Sequence, residues 1–271
     1  MPFREAVDAV LAGGQQGLTL SRSEAEPSAT EPSATRHRME AQPPPKLLIL
    51  PEKALVPLQL YDYLYRGRGI DLDIIKALIR ERKIYEDVNG NVVFIGYDEH
   101  NAPRYASKRG TCGANGVYGY KADCTGSDKR YAFRMAYVAS AASTSRMTSP
   151  SDPSMTNLPD SSVLYVFEAP IDAMSHATIM NIITGEADAW RRDSRLSLGG
   201  VTELALEGYL EVHGRVDELV FCLDNDAQGR EAAERMTRRY ADKGHRTRIE
   251  LPENKDYNDD LVKLRWKRRM L

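Results

Sequence analysis

Three carboxylates, Glu168, Asp224 and Asp226, stand directly after two apolar runs, Val163-Leu-Tyr-Val-Phe167 and Leu219-Val-Phe-Cys-Leu223. Apolar runs of this length followed by helical patterns read as parallel strands, and parallel sheets collect their chemistry at the carboxyl ends of the strands. Like charges brought to one crevice cannot all stay ionised without a counter-charge. A hard divalent cation with oxygen ligands, magnesium or manganese, resolves that repulsion, and the chemistry it would bring is phosphoryl transfer. In Glu168-Ala-Pro-Ile-Asp172 a turn ends the strand and opens a helix, with Pro170 in a first turn where its missing N–H costs nothing. In Asp224-Asn-Asp226-Ala-Gln-Gly229-Arg230 the alternation lets both aspartates face one side of an extended loop, and Gly229 permits close packing or an unusual backbone angle at the helix start. Plainer readings stand beside these: Asp172 can complement a helix N-terminus, and Asp226 can cap the next helix.

The elements that must position these acids alternate along the last part of the chain. Strands are expected at Val163 to Phe167, Arg195 to Leu198, Glu218 to Leu223 and Thr247 to Leu251. Helices are expected at Ile171 to Ile183, Val201 to Val212, Ala227 to Lys243 and Asn258 to Lys267. This order predicts an α/β domain with a mostly parallel four-stranded sheet and right-handed crossovers. An earlier module, 47–137, predicts a small α+β domain. Its helices fall at Tyr61 to Arg66 and Asp71 to Arg82, the second opened by Asp71 as N-cap, and its hairpin turns around Asp98 to Ala102. Residues 1–46 read as a short amphipathic helix, Phe3 to Leu11, then a flexible linker carrying a tandem Glu-Pro-Ser-Ala-Thr repeat. A second low-complexity tract, 138–162, precedes the acidic domain at 163–271.

The first module carries the cations. Residues 103–135 hold seven basic residues, among them Arg104, Lys108, Arg109, Lys129 and Arg130, against two acidic ones, with Tyr105, Tyr118, Tyr120, Tyr131 and Phe133 interleaved. Cations that meet phosphates and rings that stack on bases suit a single strand, while the same pattern also fits a solvated hairpin face with its tyrosines turned inward. The net charge of −2 over 271 residues makes any such surface a local patch. Three cysteines without a C-x-x-C pair predict no structural zinc and fit a reducing cytoplasm. No apolar stretch reaches the roughly 20 residues of a membrane helix, so no membrane partner is expected.

Together, Glu168, the Asp224-x-Asp226 pair and Gly229, in this strand and helix order, resemble the toprim domain of bacterial primases, topoisomerases and several nucleases, over roughly Val163 to Leu264. The primase branch is most similar. Glu168-Ala-Pro-Ile-Asp172 is similar to its E-G-Y-x-D, and Leu251-Pro-Glu-Asn-Lys-Asp256-Tyr-Asn258-Asp259 resembles the L-P-x-x-K-D-x-N-D segment of phage helicase-primases. The 47–137 module resembles the uncharacterised domain that precedes toprim in plasmid and mobile-element proteins. The resemblance implies a Rossmann-like toprim fold in which Glu168, Asp224 and Asp226 are catalytic and hold magnesium, supported by Asp172 and Asp256. It implies nucleotidyl transfer on single-stranded DNA from nucleotides, with a helicase or relaxase as partner, while the pattern of cations and rings puts Arg104, Lys108, Arg109, Lys129, Arg130 and Tyr131 on the nucleic acid. A phosphodiesterase, in which the same acids activate water, and a non-catalytic DNA-binding accessory protein of a mobile element are the alternatives. Phe3 to Leu11 resembles the closing helix of the zinc module that starts many primases, without the Cys and His ligands that precede it there.

Overall fold

The computed structural model describes residues 47–111, 120–135, 163–214 and 216–270. The expected N-terminal helix, the repeat linker, the 138–162 tract, Cys112 and Tyr118 lie outside the described residues.

The first module opens with a short helix, α1 (Leu58–Tyr61), continued by a π-helical turn over Asp62–Gly67, and then α2 (Leu72–Arg80). Ile74, Ile75 and Leu78 recur on the buried face of α2, as their helical spacing demands. Asp71 occupies the N-cap position, but its carboxylate does not cap. It accepts instead from Arg265 and from Asn181, both distant in sequence. Four antiparallel strands follow, β1 (Ile84–Glu86), β2 (Val92–Tyr97), β3 (Pro103–Arg109) and β4 (Lys121–Asp123), in that spatial order. The β2–β3 turn falls where the hairpin is expected, with the Asp98 carboxylate accepting the N–H groups of His100 and Ala102.

The second sheet contains the four expected parallel strands and one more. Its order is β5 (Arg134–Met135), β7 (Ser194–Ser197), β6 (Val163–Phe167), β8 (Glu218–Cys222) and β9 (Arg246–Ile249). All pairs are parallel except β5 with β7, where Arg134 lies opposite Leu196. The fifth strand therefore comes from the end of the first module and closes the β7 edge. Four helices accompany the sheet, α3 (Pro170–Thr184), α4 (Leu204–His213) and α5 (Ala227–Asp242) as crossovers between its parallel strands and α6 (Tyr257–Met270) after the last strand. The start expected at Val201 is delayed to Leu204, because Gly199 and Gly200 take φ of +66° and +131° and Val201 to Glu203 complete the bend.

The modules share one apolar core. Leu60, Ile74, Phe94, Phe133 and Met135 of the first pack in one cluster with Phe167, Ile171, Met174 and Tyr257 of the second. Phe133 meets Phe94 edge-on, centroids 5.6 Å apart. Gly96, inside β2, is required by a chain crossing. A Cβ there would lie 1.5 Å from the Tyr131 carbonyl oxygen. Among the described residues no helix is long and apolar enough to cross a membrane.

Candidate active site

β6 and β8 are parallel neighbours with Phe167 opposite Cys222, so Glu168 and Asp224 leave the same end of adjacent strands. The turn after β7 folds onto the first of them. Gly200 N–H donates to the Glu168 carbonyl at 3.1 Å, and Ser197 Oγ donates to the same oxygen at 3.4 Å. The loop after β8 is fastened by Asn225. Its N–H donates to the Lys255 carbonyl at 2.8 Å, its side-chain amide to the Pro252 carbonyl at 3.0 Å, and Arg230 donates to both oxygens of Asn225 at 2.9 Å. Asn225 thereby ties the two aspartates to the segment that carries Asp256.

The electrostatics show how close the acids stand. Burial, then the charges of Glu168, Asp256 and Asp226, push Asp224 up to about 7, with Lys255 opposing. Glu168 is raised, first by burial and then by Asp226, against the pull of Lys121 and Lys255. Asp172 lies beneath this surface, 7 % exposed, and is held well above the usual carboxylate range by burial and by Asp256 and Asp224, although it accepts the Asn258 N–H. Five carboxylates thus act on one another.

Two of them also serve their helices. Asp226 caps α5, its Oδ1 accepting from Gly229 N–H at 2.9 Å, and Asp256 Oδ1 accepts from Asp259 N–H at 2.8 Å at the start of α6. Gly229 answers a close approach, since a Cβ there would lie 2.1 Å from the Asp224 carbonyl oxygen.

Among the described residues, no three of His, Cys, Asp and Glu converge tightly enough to form a finished metal cage. The donor chemistry nevertheless fits a hard divalent ion. All the groups are carboxylate oxygens, and their mutual repulsion, registered in the raised Asp224, is what such an ion relieves.

Glu168 has a second setting. It lines a cleft of about 250 Å³ together with Lys108, Arg109, Lys121, Lys129 and the Gly199-Gly200 turn. Lys129 spans the cleft, donating from Nζ to the Gly199 carbonyl at 3.1 Å and pairing with Asp123 at 3.3 Å. Tyr105, buried under Gly199, donates to the same Asp123 at 2.7 Å. The basic residues singled out from the sequence are therefore divided. Lys108, Arg109 and Lys129 face the acidic site, whereas Arg104, Arg130 and Tyr131 do not line that cleft. Tyr131 lies between the two guanidinium groups, 5.0 Å from Arg104 and 5.8 Å from Arg130, and Arg130 is forked onto Asp128. Lys121 and Lys255 were not among those singled out. Their signals were one charge in a local balance and one letter of a motif.

Residues 62–139 match the model of a family described as a protein of unknown function, DUF3991, and residues 165–261 match that of the toprim-like family. Residues 165–261 form a toprim-like domain. The DUF3991 region supplies the cation-lined wall of the cleft, and the toprim-like domain supplies its acids. None of the curated protein sequences matches the chain. Among solved structures, the primase fragment of the bacteriophage T7 primase-helicase is 15% identical at a TM-score of 0.44, covering 76% of this chain and 71% of its own. The DnaG catalytic core is 15% identical at a TM-score of 0.45, with 80% and 73% covered. The DnaG primase catalytic domain bound to single-stranded DNA is 16% identical at 0.44, with 80% and 74% covered.

Proposed function

We propose that the chain is a primase-type nucleotidyl transferase acting on single-stranded DNA, dependent on magnesium or manganese. The observation that carries this reading is the meeting at Glu168 of a coupled carboxylate set and a lysine-lined cleft. Glu168, Asp224 and Asp226 would hold the ion, with Asp172 and Asp256 supporting them from behind. Bound there, the ion would supply Lewis-acid stabilisation to a phosphoryl group. The protein's own part is positioning. Lys108, Arg109 and Lys121 present charge to phosphates on one wall, Lys129 fixes the glycine turn that shapes the other, and Asn225 holds the aspartates in register with Asp256. Single-stranded DNA and nucleotides are the substrates of this reading. Its setting is the cytoplasm and a plasmid or mobile element, with a helicase or relaxase as neighbour.

The test is incubation of labelled single-stranded DNA with magnesium or manganese, with and without nucleotides. Nucleotide-dependent products that vanish in Glu168→Gln are expected. Shortened strands without nucleotides would replace synthesis by phosphodiester hydrolysis at the same carboxylates. Metal-independent binding with no turnover would leave a DNA-binding accessory protein.

A further inference from the structure

A second cavity, of about 560 Å³, is lined by Glu81, Arg82, Lys83, Tyr97 and Arg134, none of which lines the cleft at Glu168. Its charges are unbalanced. Glu81 is the one carboxylate on its wall, and that carboxylate is shared, with Lys83 Nζ and Arg191 Nη1 each at 3.3 Å. Neither Arg82 nor Arg134 forms an ion pair with a described residue. Arg134 instead meets the ring nitrogen Nε2 of His213, a partner without negative charge. The Lys83 side chain is only 18% exposed. Burial lowers its pKa, Glu81 pulls it back up, and Arg134 and Arg191 lower it further. Three cations around one divided carboxylate, one of them largely removed from water, form a site whose positive charge the described residues leave uncompensated.

The backbone adds an independent observation. Just past α2, the N–H of Arg82 reaches the Ile79 carbonyl and that of Lys83 the Leu78 carbonyl, and Arg82 takes φ of +58°. Helix ends of this kind normally place glycine in the left-handed position, because an L side chain is strained there. An arginine holding that conformation contributes to the cavity wall.

We propose that this cavity is an anion site for a phosphate group, carried either by a free nucleotide-type ligand or by a nucleic-acid strand, and separate from the carboxylate site. Arg82 and Arg134 would offer forked donors to the phosphate oxygens and Lys83 a point charge behind them.

The test uses the full chain in EDTA, so that no metal at the carboxylates contributes. Pyrophosphate and a single-stranded DNA dodecamer are each titrated by calorimetry, and the acetylation rate of Lys83 is followed by mass spectrometry with and without each probe. Arg82→Gly removes the cation while relieving the backbone, so its fold is retained. We expect it to weaken binding by about fivefold or more and to abolish protection of Lys83, with Arg134→Gln acting in the same direction and Lys121→Ala, in the other cleft, leaving the protection intact. Protection by pyrophosphate assigns the site to a free phosphate ligand, and protection by the dodecamer alone assigns it to a strand backbone. Binding of both probes unchanged in Arg82→Gly and in Arg134→Gln overturns the proposal. So does protection matched by sodium chloride at equal ionic strength, or no binding of either probe.

Discussion

In the absence of metal, replacing Asp224 by asparagine should stabilise the protein, and only at neutral and alkaline pH. The carboxyl of Asp224 is raised from 3.8 to about 7 by burial and by its acidic neighbours. A group whose folded pKa lies above its unfolded one contributes no penalty below the unfolded value. Between pH 4 and 7 the unfolded chain ionises first and gains on the folded state, and above 7 the penalty is constant. At about 1.4 kcal/mol per pH unit the displacement sets a ceiling near 4 kcal/mol. Asp224 is partly solvated and water screens its neighbours, so about 1–2 kcal/mol is expected. Urea unfolding followed by circular dichroism in EDTA should show Asp224→Asn ahead of the wild type by that amount at pH 8 and level with it near pH 4. Magnesium should reverse the order. At a hundred times its dissociation constant it adds about 2.7 kcal/mol to the wild type, a gain the variant loses. A variant no more stable than the wild type at pH 8, or one with equal advantage at both pH values, would show that burial and the neighbouring carboxylates do not raise Asp224 as argued.

Phe133→Ala removes a ring that belongs to the core shared by both modules, and should cost about 3–4 kcal/mol in a single cooperative transition of the whole described fold. Separate transitions for the two modules would refute the shared core. Gly96→Ala drives a methyl group into the Tyr131 carbonyl and should cost about 3 kcal/mol or more, measured by thermal unfolding. Lys108→Ala with Lys121→Ala should flatten the slope of log affinity for single-stranded DNA against log salt by about 1.4, at roughly 0.7 per phosphate contact. Arg130→Ala, whose cation is already committed to Asp128, should change that slope little in the same anisotropy titrations.

The central strands β6 and β8 were legible because each lies between two parallel neighbours and reads as a nearly unbroken apolar run, and each of the three carboxylates follows such a run within a few residues. The fifth strand was not legible. Arg134 and Met135 form two residues of sheet whose partner, β7, lies some sixty residues downstream, and two residues carry no periodicity. Counting charges along 103–135 could not divide the basic residues either. Lys129, Arg130 and Tyr131 form a single 3₁₀ turn, which points successive side chains about 120° apart, so neighbours in sequence serve different surfaces. Asp71 looked like a cap because its position is one, but whether a carboxylate caps or pairs with Arg265 is decided by a helix that arrives nearly two hundred residues later.

The two-residue strand β5 has a consequence for how such a chain can be assembled from parts. Lying along β7, it occupies backbone groups that would otherwise form a bare sheet edge, the kind of surface on which foreign strands polymerise. A toprim-like domain of this type separated from its forerunner would expose that edge together with the apolar face that Phe133 and Met135 cover. Each part therefore covers surface that the other would leave bare. A cut that parts them yields two halves with uncovered apolar surface, each prone to association.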